Sequence, residues 1–192
     1  MNSFCIKPCL AAWMLSVAVI LTMPATVAAQ LGGPFGGSLY LFSDTDFTDS
    51  TYQDQSPQVF SVYVVHSDMT GSAARSVRFK VEASPGITFS WIGETSPWTI
   101  VDGDSRTGIY VDYNTCLFPS PGFVLEIQYF GAGTSETCST LRTVAHPDSP
   151  YEVIEVVTCD FEVFSAVGKE LLVNCPVPVE QTTWGRVKSL FR

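Results

Sequence analysis

Apolar and polar residues alternate along most of this chain with a period of two. In Gly122–Gly131 (GFVLEIQYFG), Phe123, Leu125, Ile127 and Tyr129 fall on one face of an extended chain, and Glu126 and Gln128 on the other. That is the pattern of a strand with one buried face. Residues 76–82 (SVRFKVE) alternate strictly, with Val77, Phe79 and Val81 inward and Arg78, Lys80 and Glu82 outward. Residues 59–65 put Phe60, Val62 and Val64 on one face and Val59, Ser61, Tyr63 and Val65 on the other, while Ile87, Phe89 and Trp91 share a face in ITFSWI. Shorter extended pieces are expected at 38–42, 98–101, 108–113, 140–145, 153–159, 161–164 and 171–175. Between them lie turn formers: SPG at 84–86, Asp102-Gly103, FPSPG and HPDSP. Turns recurring every ~8–12 residues predict an all-β chain, an immunoglobulin-like β-sandwich of about nine short strands over residues 38–178.

Both ends break the pattern. Lys7 precedes an apolar run at 10–21 (LAAWMLSVAVIL), Pro24 interrupts it, and ATVAA ends at Ala29. Val27 and Ala29 suit the small pockets of a signal peptidase, so residues 1–29 read as a signal peptide cut before Gln30. The run is shorter than the ~20 apolar residues a membrane span needs. Cys9 lies before it, whereas a lipid-bearing cysteine would follow. The mature chain is therefore expected to be exported, to periplasm, cell surface or medium, and not to be transmembrane. Residues 30–37 (QLGGPFGG) read as a flexible leader.

At the far end, Pro176 and Pro178 stop the last strand, and residues 179–192 form a linker and tail. Thr183 suits a helix N-cap, and Trp184, Val187, Leu190 and Phe191 share one helical face. Arg186, Lys188 and Arg192 make this tail basic. A helix this short is marginal alone, so it either packs on its own domain or docks on a protein partner. The Pro-Val-Pro before it favours the partner.

Charge narrows the function classes. The sequence carries 19 acidic and 10 basic residues, a net charge of −9, and the leader removes only Lys7. Such a chain repels nucleic acid and anionic membranes, so nucleic-acid binding is excluded. Cys5 and Cys9 leave with the leader. The remaining Cys116, Cys138, Cys159 and Cys175 are an even set in an exported chain, which predicts two disulfides. Sequential pairing, Cys116 with Cys138 and Cys159 with Cys175, is preferred because each pair flanks one strand-like segment. No CxxC spacing supports a metal site instead.

YFGAGTSETCSTLRTVAHPDSP, IEVVTCDFEVFSAVG and the terminal TTWGRVKSLFR together resemble a group of uncharacterised exported bacterial β-domain proteins that end in a Trp-Gly-basic tail. The resemblance runs from about Ser38 onward and is most specific in the tail. It implies export and a cysteine-bearing β domain. It brings no activity, cofactor or catalytic residue.

Candidate chemistry is sparse. Asp44, Asp46, Asp49 and Asp54 form one acidic loop, and Asp102, Asp104 and Asp112 a second set; either offers the hard oxygens Ca²⁺ requires, without matching a calcium-loop motif. A solvated acidic loop is the simpler reading. Phe89, Trp91 and Trp98 suit an aromatic platform for carbohydrate, with core packing as the alternative. His66 and His146 are the two histidines; His146 and Asp148 are too close in sequence to suggest an assembled relay. No nucleophile elbow, HExxH or phosphate loop occurs. The sequence thus points to an exported binding or structural module, with a carbohydrate-binding domain and a small secreted hydrolase as alternatives.

Overall fold

A computed structural model describes residues 36–54, 57–67, 69, 73–117 and 122–176. The expected signal peptide, most of the expected leader and the 179–192 tail with its expected helix lie outside these residues.

The alternating segments form twelve strands rather than nine: β1 Ser38–Phe42, β2 Thr51–Tyr52, β3 Gln58–Ser67, β4 Ala74–Ala83, β5 Phe89–Thr95, β6 Thr99–Asp104, β7 Gly108–Leu117, β8 Gly122–Gly131, β9 Ser139–Val144, β10 Ile154–Thr158, β11 Val163–Gly168 and β12 Glu170–Val173. Eleven of them fall on the expected extended segments, and the acidic loop adds the two-residue β2, paired with β12. All described regular structure is β.

One layer runs β1-β3-β8-β5, antiparallel throughout. The second is built on β4. One edge of β4 pairs with β7, which carries β6. The other edge is shared: its first half pairs with β10 and its second half with β9. β9 and β10 thus form one antiparallel partner interrupted by the 145–153 excursion. β11 continues from β10, and its parallel pairing with β1 joins the two layers.

The core lies between the layers, with Leu39, Leu41, Val62, Val64, Leu125 and Ile127 facing Val77, Phe79, Ile109, Val111, Tyr113 and Val156. Inward residues follow the predicted alternation with one correction. A bulge sets Val64 opposite Leu125 but Val65 opposite Phe123. The extra residue, Val124, is buried, and Phe123 turns outward to stack on Phe47.

The cysteines pair differently from the sequential expectation. The bonds are Cys116–Cys159 and Cys138–Cys175. Sequential pairing fails on position. Leu117, next to Cys116, opposes Ala74 at the start of β4, whereas Leu141, three residues after Cys138, opposes Ala83 at its end; at ~3.3 Å per residue these ends of β4 lie roughly 30 Å apart. The observed bonds each stay at one end. Cys116 and Cys159 close β7 and β10 around the start of β4, while Cys138 and Cys175 join β9 to β12 where Ser139 faces Val173.

Candidate functional site

The outward face of the β4 layer is set by register alone. One row of directly opposed residues reads Ser165, Glu155, Arg78, Tyr110 and Asp102 across β11, β10, β4, β7 and β6. The next reads Val163, Val157, Ser76, Asp112 and Thr99 on the same strands. Each occupies an outward position because its sequence neighbours, such as Val77, Phe79, Ile109 and Val156, fill the core.

Arg78 stands at the centre. Its Nη1 lies 3.7 Å from Glu155 Oε2, and its guanidinium sits 5.5 Å from the Tyr110 ring centre. The ion pair is incompletely bonded: Arg78 Nε and Glu155 Oε1 are both shielded from solvent and have no hydrogen-bond partner among the described residues. Buried polar atoms are nearly always satisfied. The pair is therefore short of one donor and one acceptor within the sandwich itself. Toward β11 the face turns apolar, with exposed Val163 and with Phe161 under the guanidinium of Arg75. Toward β6 it is acidic, through Asp102 and Asp112. The face thus has a charged centre flanked by an apolar zone and an acidic one.

The predicted aromatic residues go elsewhere. Phe89, Trp91 and Tyr129 line a cleft of about 440 Å³ between β5 and β4, closed by Lys80, Glu82 and Arg106. Arg106 lies 3.8 Å above the Trp91 ring and pairs with Asp104 at 2.9 Å, so one face of the indole is covered. The Trp91 Nε1–H donates to Glu94 Oε2, and both Glu94 oxygens accept from the Ser105 N–H. Burial and the neighbouring Glu94 carboxylate push the Tyr129 phenol far up from its ordinary value, keeping it a neutral hydroxyl. Trp98 does not join the cleft. Its Nε1–H donates to the Phe123 carbonyl at 2.6 Å and its ring packs edge-on against Tyr113 at 5.6 Å. It clamps the start of β6 to β8.

The aspartates are engaged with their own loops. Asp44 Oδ1 accepts from the Thr48 and Asp49 N–H groups, and Asp49 Oδ1 from Thr51. The Asp49 amide bond holds the Asp44 carboxyl below the usual carboxylate range. Asp104 accepts from Arg106 and Thr107, and the Arg106 side chain depresses its pKa most. Asp54 Oδ2 takes the Ser135 N–H, and Asp112 takes that of Asn114. Asp46 is exposed. Among the described residues no three carboxylate, histidine or cysteine side chains gather as an ion would require.

His66 is fully buried between Gly36 and Tyr113, and His146 Nδ1 accepts the Asp148 N–H inside its turn. Neither ring is hydrogen-bonded to a serine or cysteine side chain among the described residues. The tail residues Trp184, Arg186, Val187, Lys188, Leu190, Phe191 and Arg192 lie outside them. Sequence reading placed Arg78 outward correctly but missed Tyr110 and Glu155 as its companions. Only strand register brings Glu155 beside Arg78, and no local signal encodes it.

No family model matches the chain, and no curated protein matches its sequence. Solved structures do. A cohesin module from a family 33 glycoside hydrolase of Clostridium perfringens aligns with a TM-score of 0.51 at 13% identity, covering 73% of this chain and 98% of that module. The sixth cohesin of scaffoldin B from Acetivibrio cellulolyticus, solved in complex with a Cel5 dockerin, aligns with a TM-score of 0.50 at 11% identity, covering 73% of this chain and 99% of the cohesin. At these identities the likeness is one of fold, and the fold is the cohesin-like β-sandwich.

Proposed function

We propose that this chain is an exported protein-binding module that engages its partner through the outward face of β11, β10, β4, β7 and β6. The observation that carries the reading is the Arg78–Glu155 pair at the centre of that face, where the Arg78 side chain stays 30% exposed beside the half-buried Tyr110 ring. A partner meets the exposed part of Arg78 with an acceptor, and Tyr110 supplies an aromatic anchor beside it. Buried aromatic and arginine positions of this kind dominate binding energy at interfaces. The Acetivibrio cohesin of the same fold was solved bound to a dockerin, which supports a binding role. Two disulfides and the leader sequence support export.

The test is photo-crosslinking in the source organism, with a crosslinking residue at Ser165 on this face or at Ser90 on the opposite layer. A single exported protein captured from Ser165 and not from Ser90 is expected. Its affinity for the purified module should fall at least tenfold with Arg78→Glu and with Tyr110→Ala, as for central interface residues. Capture from Ser90 alone, or an affinity indifferent to both substitutions, refutes the reading.

A further inference from the structure

The opposite layer, β1-β3-β8-β5, also has an outward face, and it divides in two. Toward β1 it is roofed. Phe47, from the acidic loop, sets its ring 6.1 Å from Phe42, 6.2 Å from Tyr63 and 6.0 Å from Phe123. Toward β5 it is bare: Val59 is 60% exposed, Ile92 48% and Phe130 39%. Val59 and Phe130 are directly opposed, and Phe130 opposes Ser90, two residues before Ile92. The three side chains therefore form one apolar strip across three neighbouring strands, a feature that calls for a covering surface.

The described chain ends beside that strip. The Cys175 carbonyl accepts from Gln53 Nε2 at 3.1 Å, and Asn174 Oδ1 accepts the Asp54 N–H at 2.8 Å. Asp54 in turn lies against the core-facing side of Gly131, round the end of β8 from the outward Phe130. Gly131 follows Phe130 and is paired with Gln58, the neighbour of Val59. The last described residue, Pro176, is thus held at the end of β8 where the strip lies. Residues 177–192 follow; the six before Thr183 reach about 20 Å when extended, and a ten-residue helix after them covers about 15 Å more.

Their chemistry matches. Trp184, Val187, Leu190 and Phe191 make an apolar helical stripe, and Arg186, Lys188 and Arg192 flank it. Two acidic side chains face the same way as the strip: Glu126, mid-strand on β8, whose Oε1 accepts from Ser61, and exposed Asp46 in the Phe47 loop. We propose that residues 183–192 fold back as a short amphipathic helix on the outward face of β3, β8 and β5, their apolar stripe covering Val59, Ile92 and Phe130 and their basic residues facing Glu126 and Asp46. This docking uses the layer opposite the partner face and stands independently of it.

Hydrogen–deuterium exchange of the full exported chain tests it. The amides of residues 185–191 should exchange at least ~10-fold more slowly than in an unstructured peptide, a degree of protection that requires stable structure. Phe130→Asp should return them to the unstructured rate while the strands keep their protection. Val59→Lys with Ile92→Lys should do the same and serves if Phe130→Asp misfolds. Unprotected tail amides in the unmodified chain overturn the proposal, as does protection that survives both variants. Protection that appears only at concentrations where sedimentation shows a dimer assigns the strip to a second copy instead. Protection that appears only when another protein is added assigns the tail to that protein.

Discussion

His66 on β3 and Tyr113 on β7 meet across the centre of the sandwich, the imidazole Nδ1 3.1 Å from the phenol oxygen. The other ring nitrogen, Nε2, lies 2.6 Å from the Gly36 carbonyl. A carbonyl only accepts, so Nε2 carries the proton, and Nδ1 accepts from the Tyr113 hydroxyl. Both side chains are fully buried. Burial pushes the His66 pKa down and the Tyr113 pKa well up, so both groups stay neutral. One bridge therefore ties the segment entering β1 to a strand of each layer.

That bridge makes stability depend on pH in a defined direction. The unfolded chain takes up a proton at its histidine near 6.5, whereas folded His66 resists it to lower pH. The unfolded state then holds more protons, and stability falls as pH is lowered. The contribution is complete above about pH 6.5 and is lost progressively below it. The depressed carboxyls, Asp44, Glu82 and Asp104, act only below their ordinary values of 3.8 to 4.5. Urea midpoints between pH 7.5 and 5 should accordingly decline in the natural chain, and His66→Gln should flatten that decline. At pH 7.5, Tyr113→Phe should cost about 1–3 kcal/mol, because Nδ1 loses its donor in a buried setting.

The disulfides offer a second check. Peptide mapping without reduction should recover Cys116 with Cys159 and Cys138 with Cys175. The bonds close sequence separations of 43 and 37 residues. By the chain-entropy model each contributes about 4 kcal/mol. Replacing Cys138 and Cys175 together by serine should lower the unfolding free energy by about that amount. A map showing Cys116 joined to Cys138 would contradict the register that sets them beside opposite ends of β4.

The sequence announced the strands and most of their inward faces because each depends on local alternation, as in Val77, Phe79 and Val81. It missed what depends on pairing. Phe123 alternates with Leu125 in the sequence, yet a bulge sends it to the opposite face. The cysteine pairs could not be read because they join segments that strand pairing brings together and the chain keeps apart, β9 with β12 directly and β7 with β10 around β4. The partner face is illegible for the same reason: Arg78, Tyr110 and Glu155 come from three segments, and only register aligns them. Trp98 shows the converse. In the sequence it suits a carbohydrate platform, but the Phe123 carbonyl captures its indole N–H.

Gly168 is where four strands crowd together. A Cβ there would lie 1.9 Å from the Thr143 carbonyl oxygen, a backbone atom that cannot rotate away. Thr143 Oγ1 donates to the Leu39 carbonyl at 3.0 Å, and Lys169 N–H donates to that same carbonyl at 2.9 Å. Any shift that relieves the clash breaks this junction of β1, β9, β11 and β12. Gly168→Ala should therefore cost about 3 kcal/mol or more in thermal or urea unfolding, as for overpacking with lost hydrogen bonds. Gly93→Ala, where an added Cβ meets nothing within 4 Å, is the matched control and should change stability by less than about 1 kcal/mol.

The Arg78–Glu155 pair separates stability from binding. Glu155 is 7% exposed, and its Oε1 is unpartnered among the described residues. Removing Glu155 alone strands the Arg78 guanidinium over Tyr110 without its counter-charge, so Glu155→Ala should destabilise. About 1–3 kcal/mol is expected, less than for a fully buried pair because Arg78 keeps some exposure to water. Replacing both residues, Arg78→Met with Glu155→Leu, removes the desolvated charges and fills the space. Such exchanges are often neutral or stabilising by about 1–4 kcal/mol. The double variant should thus unfold at the same denaturant concentration as the natural chain or higher, yet lose the partner captured from this face. If it is instead less stable than Glu155→Ala, the pair serves the sandwich itself. The polar centre of β4 would then be a structural feature and not a recognition one.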